Sequence, residues 1–193
     1  MSNIVACVNL SLDGVMQAPA RADEDVRDGF THGGWAAPYA AMAQAGEVFG
    51  NAGALLLGRR TYEDFYNVWP KRTDSPFTPW LNNIPKYVAS RTLAEPLPWT
   101  NSTLLRGDAA KSVRALKQQP GKDLLIMGSG ELIRALMRAD LIDVYVLLIH
   151  PLVLGSGRRL FAGDGELAKL ALANSTATPS GVIIATYRPV ESR

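Results

Sequence analysis

The stretch Asp123–Phe161, DLLIMGSGELIRALMRADLIDVYVLLIHPLVLGSGRRLF, decides the fold. Its first apolar run, Leu124 to Met127, stops at a glycine turn, as a buried parallel strand does. From Gly130 to Ala139 the charges Glu131, Arg134 and Arg138 keep to one side while Leu132, Ile133, Leu136 and Met137 occupy the other, which predicts an amphipathic helix. After Asp140, the run Val144 to Ile149 is continuous and rich in β-branched residues, the pattern of a strand covered on both faces. Pro151 ends its regular pairing. Together these pieces make a βαβ unit. The turn Met127-Gly128-Ser129-Gly130 joins its first strand to its helix, so backbone N–H groups and the positive helix end are offered to an anion, phosphate first. The competing explanation is a Ser129 or Gly130 that only caps the helix.

Working outward, other strands end in similar chemistry. Asn3 to Leu10 reads as the first strand, closed by the turn Ser11-Leu12-Asp13-Gly14. Gln17 to Gly34 is long and aperiodic for a connection inside a domain, a length at which loops are often functional. Trp35 to Gly46 is expected to be a helix with Tyr39, Met42 and Ala43 on one apolar side and no acid before Glu47. A second strand, Ala54 to Leu57, runs into Gly58-Arg59-Arg60-Thr61-Tyr62, and Tyr62, Phe65, Tyr66 and Trp69 space out an amphipathic helix ending before Pro70. Two arginines at a helix N-terminus oppose the macrodipole, and a bound phosphate would relieve that arrangement; solvated arginines are the plain alternative. Lys71 to Asn83 reads as a loop. The strand Lys86 to Ala89 then delivers Ser90-Arg91-Thr92, again a cation and hydroxyls after a strand. In open α/β sheets the carboxyl ends of the strands form the ligand crevice, which would collect these groups on one edge. A strand near Thr103 to Arg106, a helix from Asp108 to Gln119 capped by Asp108, and a C-terminal antiparallel hairpin of Leu167–Asn174 and Val182–Arg188 complete the chain.

Composition narrows the classes. With 193 residues, 47% of them hydrophobic, the chain supports one substantial core, and no linker, repeat or low-complexity segment divides it, so a single domain over 1–193 is expected. A net charge of +2 without a basic block argues against a nucleic-acid track or an acidic membrane surface. One cysteine and two isolated histidines supply neither a disulfide framework nor a metal site. The N-terminus has no leader pattern, and no apolar run approaches the roughly twenty residues of a membrane span. A cytoplasmic protein is expected.

With these pieces placed, the chain resembles the dihydrofolate-reductase-like superfamily, and most closely the reductase domain at the C-terminus of the bifunctional riboflavin-biosynthesis deaminase/reductase. The residues that carry the resemblance are Ser11-Leu12-Asp13-Gly14, Leu55-Leu56-Leu57-Gly58-Arg59-Arg60-Thr61-Tyr62, Met127-Gly128-Ser129-Gly130, and Leu141-Ile142-Asp143 leading to Pro151-Leu152-Val153-Leu154-Gly155-Ser156-Gly157. In this order they span nearly the whole chain. The resemblance implies a three-layer α/β fold whose central sheet is mixed but mostly parallel, with helices on both faces and the antiparallel hairpin at the C-terminus. It further implies NADPH as hydride donor. Ala6 and the loop of Asp13, Gly14 and Val15 would lie near the nicotinamide, Gly58, Arg59, Arg60 and Thr61 around the phosphates, and Ser90 and Arg91 at the adenosine 2′-phosphate. Met127, Gly128, Ser129, Gly130, Glu131 and Leu132 would wrap the pyrophosphate and nicotinamide side. The Gly128–Ser129 peptide matches an unusual cis bond between two glycines in dihydrofolate reductases; with Ser129 in place of the second glycine, and a cost of about 3–4 kcal/mol, the cis bond is not carried over.

Two departures bear on the activity. Dihydrofolate reductases carry an acid on the helix after the first strand, where Trp35–Gly46 has none, and a threonine where Leu147 stands, so the riboflavin-type pattern fits better. The deaminase half's metal-binding residues are absent. The expected function is hydride transfer to a C=N or C=O group of a small heterocycle, as in 5-amino-6-(5-phosphoribosylamino)uracil reduction. The alternatives are a dihydrofolate or pterin reductase and a non-catalytic nucleotide- or flavin-binding protein. Asp13 is the one acid at the predicted crevice edge and either assists proton delivery or holds a turn. Trp35, Tyr39 and Tyr62 are candidate walls for a planar substrate, or core residues. A homodimer is the default assembly.

Overall fold

The computed structural model describes residues 1–161 and 167–190, apart from the side chains of Ala43 and Gln44. Its strands are β1 (Ile4–Ser11), β2 (Ala52–Gly58), β3 (Lys86–Ala89), β4 (Ser102–Leu105), β5 (Asp123–Met127), β6 (Val144–His150), β7 (Leu170–Ala177) and β8 (Ile183–Pro189). The helices are α1 (Gly46–Asn51), α2 (Arg59–Val68), α3 (Phe77–Asn83), α4 (Ala109–Lys117) and α5 (Gly130–Arg138). All eight strands form one sheet in the order β4-β3-β2-β5-β1-β6-β8-β7. Pairing is parallel from β4 to β6, and β8 and β7 close that side as the antiparallel hairpin. The expected α/β architecture is therefore present.

Strand alternation divides the core into two layers. Val5, Cys7, Leu55, Leu57, Leu125, Met127, Val146 and Leu148 pack with Phe49, Tyr62 and Leu81 of α1, α2 and α3. Ile4, Ala6, Val8, Leu56, Ile126 and Leu147 pack with Val113, Leu132, Ile133 and Leu136 of α4 and α5. Central strands covered on both sides must be apolar throughout, which is why Leu55-Leu56-Leu57 reads as an unbroken run and has no exposed surface. Each such side chain contributes about 1.5–3 kcal/mol by leaving water.

Two expectations change. The Trp35–Gly46 helix is instead two short 3-10 turns, Ala37–Tyr39 and Ala41–Gln44, followed by α1. Ala40 between them is left-handed at φ 48°, which interrupts any helix through the segment. The side chain of Ala43, placed on the apolar side of that expected helix, lies outside the described residues. The Lys71–Asn83 loop contains α3, which accommodates Pro79 in its first turn. Other boundaries move by one to three residues, and Asp108 caps α4 by accepting from the Lys111 backbone N–H at 2.8 Å.

The long segment from Gln17 to Gly34 is tied down by its own side chains. Gln17 is buried, donates to the carbonyls of Asp25 and Arg27 and accepts from the Arg158 backbone N–H. Trp35 Nε1 donates to the Gln17 carbonyl at 2.7 Å, and Arg21 pairs with Asp64 of α2.

Candidate active site

The C-terminal ends of β2, β5 and β1 meet at one edge, and the sequence places glycine turns there. Gly128 and Ser129 are both left-handed, at φ 62° and 56°, so the chain leaves β5 sharply and starts α5 at Gly130. Among the described residues the cis peptide is Glu95–Pro96, so the Gly128–Ser129 bond is trans. Ser129 Oγ does not cap its own helix. It accepts from the Gly58 backbone N–H at 3.0 Å and donates to Thr61 Oγ1 at 2.9 Å, joining the start of α5 to the start of α2. Neither helix has a side-chain cap. Two helix N-termini with unpaired N–H groups thus stand side by side, a cradle for a polyphosphate.

Glycine is favoured at Gly128 by its left-handed backbone, and a Cβ on Gly130 would meet Met16 Sδ at 2.5 Å, whereas one on Gly58 would lie in ordinary contact, 3.6 Å from Ser129 Oγ. Cations ring the cradle. Arg59 pairs with Glu63 at 3.2 Å with both side chains about 40% exposed, a weak surface pair that leaves the guanidinium available to a ligand. Arg60 and Arg158 approach Glu131 at 3.9 and 3.7 Å. Ala89 pairs with Gly58 across β3 and β2, which sets Ser90 and Arg91 beside the same edge. Ser90 Oγ folds that turn by accepting from the backbone N–H groups of Thr92 and Leu93, and Arg91 is exposed.

Asp13 occupies the turn after β1. Its carboxylate accepts from Ser11 Oγ at 2.6 Å, from the backbone N–H groups of Leu154 and Gly155, and from Arg159. The Ser11 hydroxyl first, then the Leu154 N–H, hold its carboxyl down at about 2. Of its two roles, the geometry is that of a brace between this turn and the Leu154-Gly155 turn. Gly14 is left-handed at φ 80°, and Val15 is wholly buried against Gly157 and Phe30.

The remaining candidates divide. Ala6 has no exposed surface and is paired on both sides, with Ile126 and Tyr145, so it supports the site from within the sheet. Met127 and Leu132 are core. Tyr62 is 1% exposed, its hydroxyl accepts from the Trp99 backbone N–H at 3.0 Å, and it stacks on Tyr66. That corrects its place as a pocket wall: the aromatic spacing of α2 turns it into the sheet. Trp35 is likewise buried, in a cluster with Val15, Ala18 and Phe30, which is its core alternative; Tyr39 is half-buried, and both meet the His150 ring edge-on at 5.2 and 5.1 Å.

His150 has no exposed surface, and burial pushes its pKa down to about 4. The unfolded chain, with an ordinary value near 6.5, binds this proton more readily, so stability is full above that value and falls as pH drops toward 4. Denaturant unfolding at pH 7.5 and 4.5 is expected to differ by about 2–3 kcal/mol, with the difference shrinking by at least half in His150→Gln. An unchanged slope in that variant would assign the acid sensitivity elsewhere.

The fold is an α/β sheet whose strand ends gather glycine turns and arginines at one edge. Residues 3–184 match the family described as the RibD C-terminal domain, and the chain belongs to that family. It is 30% identical over 137 residues to the uncharacterized protein YyaP of Bacillus subtilis, covering 69% of this chain and 72% of that protein. A putative riboflavin biosynthesis protein from Shewanella superposes with a TM-score of 0.71 at 20% identity, covering 99% of this chain and all of that one. Dihydrofolate reductase from Enterococcus faecalis, complexed with NADP(H), superposes at 0.61 with 12% identity, covering 98% and 97%. These likenesses between structures concern the fold.

Proposed function

We propose that the protein is an NADPH-dependent reductase that transfers hydride to a C=N or C=O group of a small heterocycle, with chemistry of the 5-amino-6-(5-phosphoribosylamino)uracil reductase type. The observation that carries this reading is the Ser129 hydroxyl joining two uncapped helix N-termini at the ends of β2 and β5. In this reading Gly58, Arg59, Arg60, Thr61 and the Gly128–Leu132 segment hold the pyrophosphate, Ser90 and Arg91 the 2′-phosphate, and the Gly14-Val15 turn borders the nicotinamide. NADPH, when bound, supplies the hydride. The protein's part is orientation and exclusion of bulk water. Asp13 stays ionised as a brace, and the balancing proton comes from crevice water.

Titration with NADPH and NADH, followed by tryptophan fluorescence, tests the assignment. Arg91→Ala is expected to weaken NADPH binding about tenfold and NADH binding little, since one charged contact to a phosphate contributes about 1.5–3 kcal/mol. Equal weakening of both would move the 2′-phosphate away from Arg91.

A second reading, a nucleotide- or flavin-binding protein without turnover, is favoured by the engagement of Asp13 and the burial of His150, which leave neither group a proton to exchange at the crevice. NADPH oxidation in the presence of an acceptor ring separates the two. Pterin reduction is the weaker option because no acid precedes Glu47 on the Trp35–Gly46 segment. No helix among the described residues is long and apolar enough to cross a membrane. A cytoplasmic homodimer belongs to the same proposal, supported by the edge strand β7 and by Leu172 and Ile183 exposed on its hairpin. Light scattering is expected to give twice the chain mass, and a monomer mass removes the dimer.

A further inference from the structure

One polar pair stands at the crevice without a part in holding the cofactor. Pairing of β1 with β5 stops at Cys7 and Met127, whereas pairing with β6 continues to Ser11 and His150. Residues of β1 beyond Cys7 therefore border the crevice where β5 has already turned away. Alternation sets Asn9 on the face of Val5 and Cys7, the face on which Tyr39 packs. Asn9 is half-buried, and its Oδ1 lies 2.9 Å from His150 Nε2.

The histidine fixes which way that amide points. His150 Nδ1 is sealed from solvent and has no hydrogen-bond partner. A buried N–H without an acceptor costs more than a buried lone pair without a donor, so the hydrogen belongs on Nε2, which donates to Asn9 Oδ1. Trp35 and Tyr39 hold the imidazole ring from two sides. The Asn9 amide is then held with its Nδ2 hydrogens away from His150. Nδ2 has no partner among the described residues and is not among the atoms sealed from solvent. It is a neutral donor in one fixed orientation, on the part of β1 that runs past the end of β5.

We propose that Asn9 selects and orients the substrate by donating from Nδ2 to a carbonyl oxygen on the edge of a planar heterocycle, with His150 as the positioning residue behind it. This rests on the reductase reading and adds to it the hydrogen-bonding character of the ring. A fixed donor discriminates strongly, because a ring that presents an amino group at that point sets N–H against N–H and leaves both unpaired.

The test uses the full chain with saturating NADP⁺ and two probes, 5,6-diaminouracil and 2,4,5,6-tetraaminopyrimidine, in which amino groups replace both carbonyls. Binding is read from tryptophan fluorescence. The unaltered protein is expected to prefer diaminouracil by about tenfold or more, the effect of one hydrogen bond made against one opposed. Asn9→Leu should level the preference, and Asn9→Asp should reverse it, since a carboxylate accepts from an amino group. His150→Gln keeps a donor toward Asn9 Oδ1 and should keep the preference, while His150→Leu should lose it with NADP⁺ affinity unchanged. If His150→Leu does not fold, the two Asn9 variants decide. Both Asn9 variants retaining the original ratio would overturn the proposal, and so would a protein that binds NADP⁺ but neither ring. Failure of NADP⁺ to bind, read in a titration without ring, sinks the reductase reading instead.

Discussion

Ser129→Asp is expected to make the free protein slightly more stable and to weaken NADPH binding about a hundredfold. In place of the hydroxyl, the carboxylate would accept from both the Gly58 N–H and the Thr61 hydroxyl and stand against the positive ends of α2 and α5, a gain of about 0.5–1 kcal/mol. Aspartate also tolerates the left-handed backbone at φ 56°. In the proposed complex the same charge would face a pyrophosphate, and like charges brought together at a binding site cost several kcal/mol, of which a hundredfold loss accounts for about 2.7. A thermal melt without ligand and an NADPH titration give opposite signs for one substitution, which a general loss of structure cannot do. Unchanged affinity would mean that Ser129 faces no phosphate.

Lys86→Met is expected to destabilise the protein by about 3–4 kcal/mol, a drop in melting temperature of roughly 10 °C. Lys86 opens β3 and has no exposed surface. Its ammonium donates to the carbonyls of Asn82, Ile84 and Thr100 at 3.3, 2.9 and 3.2 Å and lies 4.4 Å from the centre of the Trp99 ring. Burial lowers its pKa to about 8, so at neutral pH the charged form predominates and all three N–H donors are used. Methionine matches the stem in volume but leaves the Ile84 and Thr100 carbonyls without a donor and Asn82 with only the Asn101 side-chain amide. NADPH affinity measured well below the melting temperature should not change, because Lys86 sits at the opposite end of β3 from Ser90. A loss below about 1 kcal/mol would mean that water replaces the ammonium.

What was legible in the sequence follows from range. β3 reads to the residue because Pro85 and Ser90 bracket a four-residue alternation. β5 and α5 read closely because strand, glycine turn and amphipathic helix are local patterns. The Trp35–Gly46 segment misled because alanine favours helix, whereas Ala40 is left-handed and Trp35 and Tyr39 are committed to the His150 ring more than a hundred residues away. α3 was hidden by Pro76 and Pro79, which read as loop until one sees that both stand at its start. At the site, the phosphate-facing turns were readable as motifs, but the Ser129–Thr61 bond joins residues 68 apart and Asn9–His150 joins residues 141 apart. A lone asparagine in the run IVACVNL was the available clue to the second pair.

The Gln17–Gly34 loop closes on its own side chains and reaches the rest of the chain through a few contacts, among them Arg21 with Asp64, Trp35 with the Gln17 carbonyl, and Gln17 with Arg158. That makes it an exchangeable cassette. Outside those junctions and the buried Ala18 and Phe30, its residues are free to change without disturbing the sheet.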